Sequence, residues 1–166
     1  DKHIVKMPVE SAQMLSTTHR VLDGTEYMER SANNRKLRRW KLDDEREDLL
    51  YKACFMGHPC TKWTMQSHEN YLWHATHAKE LCREYTRRYG RVHKSQEVID
   101  YCACQLPKNI HIGSQTTFAM AMPDEYKERH NAVQSYRNYY LGEKVEIAKW
   151  KSADIPYWFL EMSLKT

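Results

Sequence analysis

Near the front of the chain a histidine and a carboxylate, His3 and Glu10, stand seven residues apart. At about 3.6 residues per helical turn that interval is two turns, so on a helix both side chains share one face. An imidazole beside a carboxylate can move a proton or stabilise a developing cation. Lys6 falls close to the same face. The same pair on a solvated helix face, doing no chemistry, is the plain structural alternative.

Two further groups of residues have chemical potential. Arg35, Lys36, Arg38, Arg39 and Lys41 put five cations into seven residues, with Trp40 among them. Cations spaced along a chain meet phosphates, and an aromatic ring among them can stack on a base. A solvated charge run is the competing reading. Arg20, on the first helix, is a further candidate for phosphate contact. The run Gly57-His58-Pro59-Cys60-Thr61-Lys62-Trp63 places a thiol beside a histidine near a helix start, where a thiolate is favoured. His58, Cys60 and Trp63 therefore form a candidate pocket, with a buried structural cysteine as the alternative.

Nine histidines and five cysteines invite a metal, but His58-x-Cys60, His74-x-x-His77 and Cys102-x-Cys104 are each half-sites. Paired ligands at zinc spacing are absent, so neither metal nor cofactor is expected. The chain also lacks a glycine-rich phosphate loop and a nucleophile elbow.

The elements that must carry these residues follow from periodicity and punctuation. Ile4, Met7, Ser11, Met14, Leu15, Thr18 and Leu22 form a helical stripe ending at the turn signal Asp23-Gly24. Pro8 within it predicts either a kink or a helix that begins at Pro8. Residues Thr25 to Leu42 lack a helical stripe and read as a small hairpin or exposed loop turning at Asn33-Asn34. Asp43-Asp44-Glu45 predicts the acidic start of a helix through Phe55, and Pro59 the start of a short helix through Thr64. Ser67 and Gly90 bracket the longest helix, His68 to Tyr89, with His74 on its buried stripe as a core histidine. Ser95 caps a helix from Gln96 to about Gln105, and Lys108 to Met122 reads as an ordered loop. Asn131 caps a helix to about Lys151, after which the aromatic run Ile155-Pro156-Tyr157-Trp158-Phe159 should dock on the bundle.

A chain of 166 residues with 5 Gly and 5 Pro is therefore expected to be all-α, a single compact helical domain over residues 1–166 with a basic loop or small hairpin near 25–42. The odd set of five cysteines lacks the spacing of a secreted disulfide scaffold, so reduced thiols and an intracellular setting are expected. No apolar run reaches membrane-spanning length. The net charge of +4 is modest, but its clustering suits a polyanion. The numbering opens at Asp1 rather than Met, which leaves room for an upstream segment.

Asp1-Lys2-His3 followed by Glu10 resembles the start of the phage pyrimidine-dimer DNA glycosylases of the endonuclease V type. The later order is similar too: a histidine-centred turn at His58, a long helix closing on Arg87-Arg88-Tyr89-Gly90, and Tyr139-Tyr140 near the end. His58-Pro59-Cys60-x-x-Trp63, Asn70-Tyr71-x-Trp73 and Met122-Pro123-Asp124 also resemble a group of uncharacterised tailed-phage proteins. The resemblance implies a DNA repair or base-processing glycosylase or lyase acting on damaged or modified bases. Glu10 would be its acid/base or cation-stabilising carboxylate and His3 would orient substrate. Double-stranded DNA would be the partner, gripped through Arg20 and the segment Arg35, Lys36, Arg38, Arg39 and Trp40, and the host cell cytoplasm the location. The family's amine nucleophile lies upstream of its Asp-x-His segment, and the arginines flanking its glutamate correspond here to Val9 and Gln13. The alternative is a non-catalytic phage DNA-binding or assembly protein on the same scaffold. A third reading is a Cys/His enzyme acting on a nucleotide through His58 and Cys60.

Overall fold

The first helix, α1, runs from Lys2 to Asp23 without interruption, with Pro8 inside it. Pro8 lies in the second turn, so its missing N–H costs a single intrahelical bond, and its ring is buried. The computed structural model describes residues 2–163, without the side chains of Met162 and Ser163. Asp1 and residues 164–166 lie outside the described residues. Gly24 lets the chain turn straight from α1 into a hairpin, because a Cβ there would stand 2.6 Å from the Arg20 carbonyl and 2.9 Å from that of Lys41. The hairpin pairs β1 (Thr25–Arg30) with β2 (Lys36–Lys41) antiparallel, Thr25 opposite Lys41 and Arg30 opposite Lys36. The fold is thus predominantly helical rather than purely α, since this two-stranded sheet is part of it.

After the hairpin comes α2 (Arg46–Leu49), then α3 (Pro59–Gln66), α4 (His68–Tyr89), α5 (Gln96–Cys104), α6 (Ala132–Glu143) and α7 (Tyr157–Ser163). Ser67 caps α4 by accepting from the Asn70 N–H, and Gly90 closes it at φ 65° while bonding back to Thr86. α1, α4 and α5 pack together around Ala12, Leu15, Tyr71, Ala75, Ala78, Cys82, Val98, Ile99 and Cys102. Alanines at the crossing let the helices approach closely while Leu15, Ile99 and Tyr71 fill the space between them, each large apolar side chain contributing about 2 kcal/mol by burial. Residues 105–122 form an irregular strap along α4. His68 N–H donates to the His111 carbonyl, and the backbone N–H groups of Gly113, Gln115 and Thr116 donate to His68 Nδ1, Glu69 and Asn70.

Two expected helices are shorter than periodicity predicts. The helix expected through Phe55 stops at Leu49, because side chains of α1 and the hairpin take the backbone groups that a continuing helix would need. Arg20 donates to the carbonyls of Glu47, Leu50, Tyr51 and Trp40, at 2.7 to 3.0 Å. The Tyr51 N–H goes to Ser16, Arg39 takes the Ala53 carbonyl, and the Thr17 hydroxyl both donates to and accepts from the Cys54 backbone. The helix expected to Lys151 ends at Glu143, followed by a 3-10 turn at Val145–Ile147. The aromatic tail docks on α6: Trp158 stands edge-on to Tyr140 and beneath the Arg137 guanidinium.

Arg20 also corrects an expectation of function. It is 2 % exposed, and its remaining donor meets a Glu47 carboxylate oxygen at 2.6 Å. All five of its N–H groups are therefore committed inside the protein, and none is left for a phosphate. Beneath it, Arg46 is buried between Asp23, Asp44 and His19. His19 Nδ1 accepts from Arg46, so its Nε2–H donates to the Tyr71 hydroxyl, which in turn donates to the Cys102 carbonyl. Burial, reinforced by the Arg46 charge, pushes the His19 imidazole down to about 4.

Candidate functional site

His3, Glu10 and Thr17 recur at seven-residue intervals on α1 and form one stripe along it, beside the face that meets the core. Glu10 Oε1 is 2.8 Å from Lys6 Nζ, with the Glu10 side chain 20 % exposed and the Lys6 side chain 67 % exposed. His3 is half-buried, and its Nδ1 is hydrogen-bonded to the Tyr140 hydroxyl on α6. Burial, helped by the nearby charges of Lys144 and Lys6, lowers the His3 pKa, while Glu10 pulls the other way. Tyr140 is shifted upward by burial and stays protonated. A half-buried carboxylate, an amine and a neutral imidazole thus occupy the first three turns of α1, the imidazole bonded to a phenol on α6, and proton transfer and cation stabilisation are both within their chemistry.

At the other end of the stripe, Thr17 holds Cys54, and the next residue, Phe55, takes a positive φ of 54° and is 45 % exposed. His58 is edge-on to that ring at 6.4 Å and caps α3 by accepting from the Cys60 N–H. Cys60 is half-buried with Sγ 4.0 Å from the Tyr136 hydroxyl, and burial raises its thiol pKa. This corrects the picture of Cys60 as an activated nucleophile, because His58 Nδ1 serves as a helix cap and the thiol is disfavoured as thiolate. Trp63 is buried, its indole N–H directed at the Thr116 carbonyl and its ring against Trp73 and Phe118. The three side chains are thus engaged separately: His58 with the Cys60 N–H, Cys60 with Tyr136, and Trp63 with Thr116, Trp73 and Phe118. A cavity of about 350 Å³ lies further along, walled by the strap at Gln115–Phe118 and Met120 and by His130–Ala132 at the start of α6.

His74 is a core histidine: Thr64 donates to the Cys60 carbonyl, so it accepts from His74 Nδ1–H at 2.7 Å. Full burial pushes His74 down to about 3, with His77 and His58 adding to the effect. Among the described residues no group of three His, Cys, Asp or Glu side chains is placed to hold a metal ion.

The hairpin cations divide into two kinds. Arg38 makes a bidentate pair with Glu26, and Arg39 bridges Glu29 and the Ala53 carbonyl. These partners hold Glu26 and Glu29 below the usual carboxylate range. Arg35 and Lys36 are exposed and make no ion pair among the described residues. Trp40 is 7 % exposed, with Arg38 stacked over it at 5.2 Å, which corrects its expected role as a base-stacking ring. The Arg cluster at the end of α4 is largely self-compensated: Arg83 pairs with Glu80, and Arg87 and Arg88 with Glu84.

Sequence reasoning missed Tyr140 as the partner of His3 and Phe55 as an exposed ring. The first contact joins residues 137 apart, and the second depends on α1 preventing a helix. Neither has a local signal. No protein family, curated protein or solved structure matches this chain. No helix among the described residues is long and apolar enough to cross a membrane.

Proposed function

We propose that this protein is a DNA base-processing enzyme of the glycosylase or lyase kind, acting on damaged or modified bases in duplex DNA. The observation that carries the reading is the half-buried Glu10 carboxylate, ion-paired with Lys6 and sharing its helix stripe with the Tyr140-bound His3. Breaking a bond between base and sugar builds positive charge on the sugar, and a carboxylate held in a partly desolvated site opposes that charge better than one in water. Damaged or mismatched bases are cheaper to unstack, which favours them as targets. The exposed Arg35 and Lys36 supply phosphate contacts.

Glu10→Gln keeps shape and removes charge. Base release from a duplex carrying modified bases should fall about 100-fold or more, while duplex affinity stays within about twofold of wild type. Unchanged base release would reject Glu10 as the working carboxylate, and absence of base release from a panel of lesions in the wild type would reject the enzymatic reading. The free cations of the hairpin favour one second reading, a DNA-binding protein without chemistry. In that case Arg35→Ala with Lys36→Ala lowers affinity and reduces the salt slope by about 0.9 for each phosphate no longer neutralised, with no turnover to lose. Arg38 and Arg39, already engaged by glutamates, should affect binding less.

A further inference from the structure

Phe55 has the features of a residue held in place for a purpose outside its own fold. Its φ of 54° lies in the left-handed region, where a bulky aromatic is a genuine outlier. Such strain persists where the surroundings over-determine it, and it concentrates at sites of function. Burial of the ring does not offset it here, since 45 % of the residue is exposed and the ring's aromatic contact is the edge of His58. The backbone around it is nevertheless pinned on both sides. Arg39 holds the Ala53 carbonyl, Thr17 holds both backbone groups of Cys54, and the His58 N–H donates to the Phe55 carbonyl at 2.9 Å. A rigid mount therefore pushes an apolar ring into water.

Its position adds a second argument. Thr17, which anchors this mount, is two turns beyond Glu10 on the same stripe, about 10.5 Å along the helix axis. Arg39, bonded to the Ala53 carbonyl, and exposed Lys52 both pair with Glu29 and fix the chain just before Phe55. A rigidly mounted, exposed apolar ring whose anchor shares a helix stripe with a half-buried carboxylate matches what base extrusion requires, because the gap left in the stack must be filled by something apolar.

We propose that Phe55 is a wedge that enters the base stack of duplex DNA and stabilises an extruded nucleotide for the Glu10 end of the stripe. This rests on the base-processing reading, and its test needs no turnover. The probe is a duplex with 2-aminopurine at or beside a mismatch, whose fluorescence rises when the base unstacks, read alongside affinity by anisotropy. Wild-type protein should raise the fluorescence. Phe55→Gly accepts the positive φ without strain, so it should fold with an unchanged or higher melting temperature. It should nevertheless lose most of the fluorescence rise and bind the mismatched duplex about tenfold more weakly, with affinity for fully paired duplex changed less than about twofold. Phe55→Trp should keep the rise. A Phe55→Gly protein that binds and unstacks as wild type does would overturn the wedge and leave the base-processing reading standing. Wild-type binding without any fluorescence rise does the same, whereas no wild-type binding to any duplex removes both. A steep drop in melting temperature on Phe55→Gly would show the ring to be structural and also overturn the wedge.

Discussion

Replacing Arg20 should unfold much of what lies between α1 and the hairpin, without touching any DNA contact. Its guanidinium satisfies four backbone carbonyls, those of Trp40, Glu47, Leu50 and Tyr51, and one oxygen of Glu47. Arg20→Met keeps an apolar stem of similar length and leaves those acceptors without their donor. The ion pair itself counts for little, since the Glu47 side chain is 36 % exposed and water screens it. The destabilisation comes from the carbonyls, about 1 kcal/mol for each one stranded, or about 4 kcal/mol in all. Arg20→Lys, with one point charge that reaches only part of the set, should cost about 2 kcal/mol. Urea unfolding followed by far-UV circular dichroism measures this directly. With a slope of about 2 kcal/mol per molar, the midpoint should fall by about 2 M for Met and about 1 M for Lys. A loss below about 1 kcal/mol for Met would refute the claim that Arg20 is the internal fastener of residues 40–51. A lysine variant that folds well but loses duplex affinity would restore Arg20 to the DNA surface.

Acid should destabilise the protein before its carboxylates protonate. The folded-state pKa values of His19 and His74 are depressed to about 4 and about 3, below the value near 6.5 in an unfolded chain. The unfolded state therefore binds protons first, and the stability these residues contribute is complete above about pH 6.5 and lost as pH falls from there toward 4. The slope should reach roughly 2 to 3 kcal/mol per pH unit, and His74→Gln should roughly halve it. Flat stability from pH 6.5 to 4.5 would contradict the neutral burial of both rings. Below that window Asp23, which burial alone would raise but which its hydrogen bond to Arg46 holds low, adds a further loss. Among the thiols, exposed Cys104 should be alkylated by iodoacetamide at pH 8 well before Cys60. Peptide mapping that finds Cys60 modified first would restore it as a candidate nucleophile.

Local signals were sufficient where the deciding interactions lie within a few residues of one another. The ends of α4 follow from Ser67, whose hydroxyl meets an N–H three residues on, and from Gly90, which alone takes positive φ without cost. The hairpin follows from the lack of a helical stripe between Thr25 and Leu42 and from the turn residues Asn33 and Asn34, and the Lys6–Glu10 pair from helical spacing alone. His74 was legible as a core histidine because it falls on the buried stripe of α4.

Tertiary structure decided the rest, and it did so through side chains that reach across the chain for backbone groups. Acidic residues after Lys41 promise a helix, but Ser16, Thr17, Arg20 and Arg39 bind the backbone of residues 47–54, and the helix ends after a single turn. The same competition buries Arg20, which its sequence context offered as a phosphate ligand, and leaves Phe55 exposed at positive φ outside any helix. Helix propensity differs by less than about 1 kcal/mol per residue among ordinary side chains, whereas a buried arginine with five satisfied donors is worth several. Between residues that distant in sequence the stronger interaction prevails, and nothing in the local pattern announces it.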